Sequence, residues 1–304
     1  MTYQAVTPRH RPFATPDRAA LALHRIGHRV FPRGTTVPDD TASAALSSDL
    51  ARMASMPLDP RAAPRAGSTF AEMAAPLVAE FLEPDESVDL VVLASATPDL
   101  LPAHQAAPSV LEALPGDPLA FGITDQGRGA AFTAVDLAQR CARRHGHRRA
   151  VVLLFDQALL PYDGPSDLSQ RVDASAAAAV VLTAPPPDRI GGRAGGSGRG
   201  CQVRHQATVP PDEVLRRAFA PVDPEVLGNS PDVVLGAGVD PGLPVPIPGA
   251  HVVRDAPGLP STGVWRAVAH RNDPGAARPL IVVDANPVTD EVWTFWTTGR
   301  PTRP

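Results

Sequence analysis

The chain has 304 residues, enough for one large domain or two fused halves. Hydrophobic residues make up 43% and charged residues 20%, the balance of a globular protein, and a net charge of −4 leaves no electrostatic footprint for nucleic acid. All 28 basic residues are Arg, which excludes a Schiff-base or phosphate-loop lysine, and two cysteines, Cys141 and Cys201, make neither a disulfide framework nor a metal-ligand spacing.

Residues 1–20 are polar, contain Pro and Arg and lack periodicity, which predicts a loose tail. No signal-peptide core is present and no apolar run approaches ~18 residues, so the expectation is a cytoplasmic protein with no membrane partner. A first strand is predicted over 26–31 and an Ala- and Ser-rich helix over 41–56. A clearer helix follows at 69–82, with Ser68 or Thr69 as cap, Met73, Leu77, Val78 and Phe81 on one face, and Pro76 as an interior cost. The near-continuous apolar run 88–96 is the mark of a strand buried on both faces of an α/β sheet, and a short helix is predicted over 109–114.

Residues 119–138 read as an apolar strand, a Gly-flanked turn and an Ala-rich buried helix. A turn of this kind can hold one side chain at a helix N-terminus, where backbone N–H groups favour a nucleophilic anion or an oxyanion. Its apex is Asp125, Gln126, Gly127 and Arg128, with no Ser, Cys or Thr. Further strands are predicted at 149–155 and at the end of 172–183, with Cys141 near the Arg-rich end of the helix between. The Gly/Arg/Pro-rich stretch 185–204, which contains Cys201, predicts a surface loop or boundary between halves. Beyond it come a helix over 212–219, a strand over 232–235, a Pro/Gly loop over 236–249, and strands at 251–254, 278–284 and 291–297, with a helix over 262–270. Alternating strands and helices in both parts predict an α/β fold with internal duplication.

This order resembles the thiolase fold and, within it, the β-ketoacyl-ACP synthase III family. The resemblance rests on strand 88–96 followed by Thr97-Pro-Asp99, on Ala120-Phe-Gly-Ile123 leading into the helix, on 150–155, and on the small-residue run 173–182. It implies two similar halves, 21–184 and 205–304, whose sheets stack around buried helices, one starting near 126–129. It also implies a Cys at the helix N-terminus with a His and an Asn from the second half. Gly127, or Gln126 if the turn is tighter, occupies the Cys position. Ala237-Gly-Val-Asp240 stands where the His belongs, and Leu259 or Pro260 where the Asn belongs. The second half is short of a family helix between Asp240 and His251.

Asp125 is a carboxylate that could face a pocket, though an Asp before a helix is more often its N-cap. Gln126 could plug an acyl site, and Arg128 could touch a phosphopantetheine or a partner, whereas a lone Arg is usually solvated or paired. His104 and His251 are alternative bases, with cap and surface roles as the bland readings of His251 and His270. His145 and His147 lack the carboxylate or Cys that a metal would need, so neither metal nor cofactor is expected. Asp173 and Ser175 read as part of a closely packed small-residue segment, and Trp293 and Phe295 as one inward face of the last strand. The resemblance then implies a catalytically silent subunit that pairs with an active ketosynthase in polyketide or fatty-acid-derived biosynthesis. Its rivals are an acyltransferase or hydrolase of altered chemistry on acyl-CoA or acyl-carrier thioesters, and a homodimeric acyl-thioester binding protein.

Overall fold

The computed structural model describes residues 20–297 apart from 33, 38–40, 54–65, 84, 103–104, 125, 160–170, 185–200, 223, 229 and 272–277. In the first half the order is β1 (Ala22–Val30), α1 (Thr41–Met53), α2 (Phe70–Phe81), β2 (Leu90–Ser95), α3 (Ala106–Glu112), β3 (Leu119–Ile123), α4 (Gly129–His145), β4 (Arg149–Asp156) and β5 (Ala176–Thr183). In the second it is β6 (Cys201–Gln206), a 3-10 turn (Pro211–Glu213), α5 (Val214–Phe219), α6 (Pro224–Gly228), β7 (Asp232–Leu235), β8 (His251–Arg254), α7 (Gly263–Ala269), β9 (Leu280–Asn286) and β10 (Glu291–Thr297).

Two five-stranded sheets repeat one topology, β1-β5-β4-β2-β3 and β6-β10-β9-β7-β8. In each, two antiparallel pairings (β1 with β5, β5 with β4; β6 with β10, β10 with β9) precede two parallel ones (β4 with β2, β2 with β3; β9 with β7, β7 with β8). The duplication read from the chain is therefore present strand for strand.

Strand alternation sorts the core into layers. Leu90, Val92 and Ala94 of β2 face an inner layer shared with α4, α7 and the second sheet, while Val91 and Leu93 face α2 and α3. Val233 and Leu235 of β7 pack outward against α5, and Val234 packs inward. Helices thus cover both faces of each sheet, which is what the continuous apolar runs of β2 and β4 require. Val91, Val92 and Leu93 are 0%, 0% and 8% exposed, buried between β4 and β3 rather than on an edge.

Local chemistry sets the helix ends. Thr69 and Glu72 form a reciprocal capping box on α2, the Glu72 N–H donating to Thr69 Oγ1 at 3.2 Å and the Thr69 N–H to Glu72 Oε2 at 2.7 Å. Asp99 adds an acceptor for the Phe70 N–H at 2.9 Å, and burial pushes its carboxyl up to about 6 against that bond. Pro76 lies inside α2 without ending it.

The start of the second half differs from the reading of the chain. The second half begins with β6 at Cys201, inside the stretch assigned to a loop, and the Cys201 thiol is buried and pushed up to about 12 by that burial. Trp296 is buried on the opposite face of β10 from Trp293 and Phe295, against α5. Between Asp240 and His251 the chain makes turns only.

Candidate active site at the α4 turn

The turn after β3 closes through the Gly129 N–H, which donates to the Gln126 carbonyl at 2.9 Å. Gly127 takes φ +48°, the left-handed region where a side chain is strained, and Arg128 follows as the N-cap of α4 with no capping side chain. From Gln126 to Gly129 the turn offers no thiol or hydroxyl. Gln126 is exposed, whereas Arg128 is turned into the interior at 1% exposure.

Arg128 Nη1 donates to Asp284 Oδ2 at 2.7 Å, with Asp284 at 0% exposure. Asp284 Oδ1 accepts the N–H groups of Ala285 at 2.9 Å and Gly238 at 3.2 Å. Gly236 makes room for this carboxylate, since a Cβ there would overlap it. Gly236 precedes, and Gly238 lies within, the segment Ala237–Asp240 where the family resemblance places a His. One carboxylate therefore joins the turn before α4 to the loop after β7, through the Arg128 guanidinium on one side and the Gly238 N–H on the other.

Asp156 repeats the arrangement with the halves exchanged. It follows Phe155, the partner of Ser95 in β2, as Asp284 follows Val283, the partner of Leu235 in β7. Alternation turns both carboxylates into the layer between the sheets. Asp156 accepts from the N–H groups of Ser261 at 2.9 Å and Thr262 at 2.8 Å and from Thr262 Oγ1 at 2.7 Å. These donors lie just after Leu259 and Pro260, where the resemblance places an Asn; both residues are buried. Burial pushes the Asp156 carboxyl up to about 6, while its hydrogen bonds and the Arg128 charge pull the other way. Each half thus sends an acid from the C-terminal part of β4 or β9 across to the start of the other half's inner helix.

A third acid completes the cluster. Asp255 accepts from Arg266 Nη2 at 2.7 Å, and burial raises its carboxyl above the usual range, with the Arg266 bond and charge opposing and the Asp284 charge adding to the rise.

The other residues singled out in the chain fall elsewhere. Asp125 and His104 lie outside the described residues. His251, with a side chain 60% exposed, sits at the first pair of β8, facing Asp232 at 3.5 Å. Asp284 lies past the far end of the neighbouring strand, four residue steps or roughly 13 Å along the strand direction, so His251 is not brought to the turn. His270 is exposed, its ring 6.2 Å from that of His28. Ser175 is buried and donates to Gln157 Oε1 at 2.7 Å, and the Asp173 N–H donates to the Gly258 carbonyl at 2.9 Å, which makes this segment a seam between the halves. Among the described residues no group of His, Cys, Asp and Glu could hold a metal.

The fold that carries these contacts is matched in solved structures. The 3-oxoacyl-(acyl carrier protein) synthase III of Pseudomonas aeruginosa PAO1 aligns over 94% of this chain and 99% of its own, with a TM-score of 0.55 at 15% identity. A tetronic acid condensing enzyme aligns over 91% and 99%, with a TM-score of 0.53 at 18% identity. An HMG-CoA synthase complexed with CoA aligns over 91% and 82%, with a TM-score of 0.54 at 12% identity. The chain has the thiolase-like fold. No protein-family model matches the sequence, and no curated protein does. Within a thiolase-like fold, α4 and α7 are the paired inner helices, and the Arg128–Asp284 and Asp156–Thr262 contacts occupy the space at their N-terminal ends. Among the described residues no helix is long and apolar enough to cross a membrane.

Proposed function

We propose that this chain is a catalytically silent, ketosynthase III-like subunit that pairs with an active ketosynthase in polyketide or fatty-acid-derived biosynthesis. The observation that carries this reading is the buried Arg128–Asp284 pair at the turn where the family resemblance places the nucleophile. A guanidinium has no electron pair to attack a thioester.

The pairing half of the proposal is supported by β3, the terminal strand of the first sheet. Residues 119–123 carry no charge and no Pro, and Leu119 is 53% exposed. Such an edge is open to strand pairing, and proteins normally block or cover it. The resemblance supplies the cover, because the family's dimers join sheets across a two-fold axis. A permanent pair of this kind buries on the order of 2,000 Å² or more.

Co-expression with a ketosynthase III-type enzyme encoded beside this chain, followed by size-exclusion chromatography and an acyl-transfer assay, tests the proposal. The two chains co-elute, and omission of this one lowers the transfer rate. A monomer that neither binds the enzyme nor changes its rate overturns the pairing.

A further inference from the structure

The second sheet holds a cavity of about 210 Å³ that the silent-subunit reading leaves unused. It lies at the C-terminal ends of the parallel strands β7 and β9, the end at which open α/β sheets receive ligands. Val209, Val239 and Ala285 give it apolar walls, all at most 4% exposed. Its volume is below the roughly 300 Å³ at which drug-sized sites begin, so its occupant is a short chain or a single ring.

The polar part of the lining has one sign. Asp240, Asp290 and Glu291 contribute carboxylates, and no Arg or His is among the lining residues. The bases close by are already paired, His205 with Glu291 and Arg254 with backbone carbonyls, which leaves the Asp240 and Asp290 side chains as the rim charges without a basic partner among the described residues. His205 Nε2 meets Glu291 Oε1 at 2.9 Å, and the Arg254 guanidinium donates to the carbonyls of Asp240 at 3.3 Å and Leu243 at 2.9 Å. Glu291 Oε2 also accepts from Thr289 Oγ1 at 2.6 Å, and Asp240 Oδ1 from the Gly242 N–H at 2.8 Å. Asp240 and Asp290 are exposed.

The lip is built at a conformational cost. Thr208 and Asp290 hold φ of +58° and +52°, two of the three positive-φ non-glycine residues among those described, and the Val209 N–H beside Thr208 donates to the Asp290 carbonyl at 2.8 Å. That bond fixes the Asp290 side of the opening against the Val209 wall. Inside, the turn and β9 approach so closely that a Cβ on Gly238 would overlap the Ala285 carbonyl.

From the apolar walls, the one-signed rim and the small volume together, we infer that this cavity binds a short alkylammonium, its hydrocarbon against Val209, Val239 and Ala285 and its charged nitrogen at Asp240 and Asp290. The inference does not depend on pairing with a ketosynthase. A carboxylate or phosphate of the same length meets like charge at the rim and is rejected.

Calorimetric titration of the full chain at neutral pH with n-pentylamine, n-pentanol, pentanoate and N-acetyl-lysine amide tests it. Pentylamine binds, pentanol binds about tenfold more weakly, pentanoate gives no heat, and the lysine amide, whose peptide end exceeds the cavity, binds at least tenfold more weakly than pentylamine. The double variant Asp240→Asn with Asp290→Asn loses about tenfold in amine affinity, keeps its pentanol affinity, and melts within a degree or two of the parent. Val239→Phe fills the cavity and abolishes both. Equal binding of amine and alcohol, tighter binding of the lysine amide, absence of amine binding, or amine binding unchanged in the Asp double variant overturns the inference.

Discussion

Replacing Arg128 by Met removes one member of the buried pair and leaves the Asp284 carboxylate in a layer with no solvent, at 0% exposure. Breaking a buried ion pair in this way costs about 3–5 kcal/mol, more than the pair itself contributes, because the remaining charge is uncompensated. Unfolding entropy of about 2.1 cal/mol/K per residue gives roughly 0.64 kcal/mol/K for a chain of this length, so the melting midpoint falls by about 5–8 °C. Asp284→Ala costs still more, since the Ala285 and Gly238 N–H groups lose their acceptor as well, at about 1–3 kcal/mol for each donor left buried. The two changes act through one contact, so their costs do not add. Guanidinium unfolding of the parent, both single variants and the double variant gives the coupling directly, and the account requires the double variant to be at least ~2 kcal/mol better than the sum of the singles. Additivity within ~0.5 kcal/mol, or an Arg128→Met variant as stable as the parent, refutes the buried lock.

A pH series reads a second, half-buried group. Burial, with the Arg266 and His270 charges adding, lowers His28 from 6.5 to about 4, so between those values the unfolded chain binds more protons and stability falls as pH drops. Asp99 and Asp156 run the other way: their carboxyls are raised to about 6, and the stability this confers is full below the unfolded value of 3.8 and lost as pH rises through about 6. The difference between the parent and His28→Gln isolates the histidine, and that difference should shift by up to ~3 kcal/mol between pH 7.5 and 4; a constant difference contradicts the assigned burial. Thr69→Ala removes one arm of the α2 capping box and lowers stability by about 1 kcal/mol in the same unfolding assay, with no effect on the coupling between Arg128 and Asp284.

Strands β7 and β10 lie where the apolar runs place them, and β2 and β4 differ by a residue or two at their ends, because a run buried on both faces is visible locally; β8 also lies where it was predicted, although it is a largely exposed terminal strand. β6 was not legible, since Cys201–Gln206 is a half-exposed edge strand with charged and polar residues beside a Gly-rich stretch. β1 starts four residues before its predicted place for a related reason: His24, Arg25, His28 and Arg29 read as polar surface, yet β1 pairs along its length with β5. At the site, Gly127 and Arg128 could be singled out by their place between strand and helix. Asp156 and Asp284 could not, because each is a lone carboxylate ending an apolar run whose partners lie 105 and 156 residues away. The available signal was their matching position in the two repeats, which only a strand-by-strand alignment of the halves brings out.

Intact-mass spectrometry of the co-purified pair after incubation with acyl-CoA tests the central claim most directly. The turn holds a guanidinium paired to Asp284, and Cys141 lies 14 residues beyond Gly127, about 21 Å along the chain at helical rise. The account predicts an acyl adduct on the partner ketosynthase and none on this chain. A stable adduct mapping to any residue of 120–130 contradicts it.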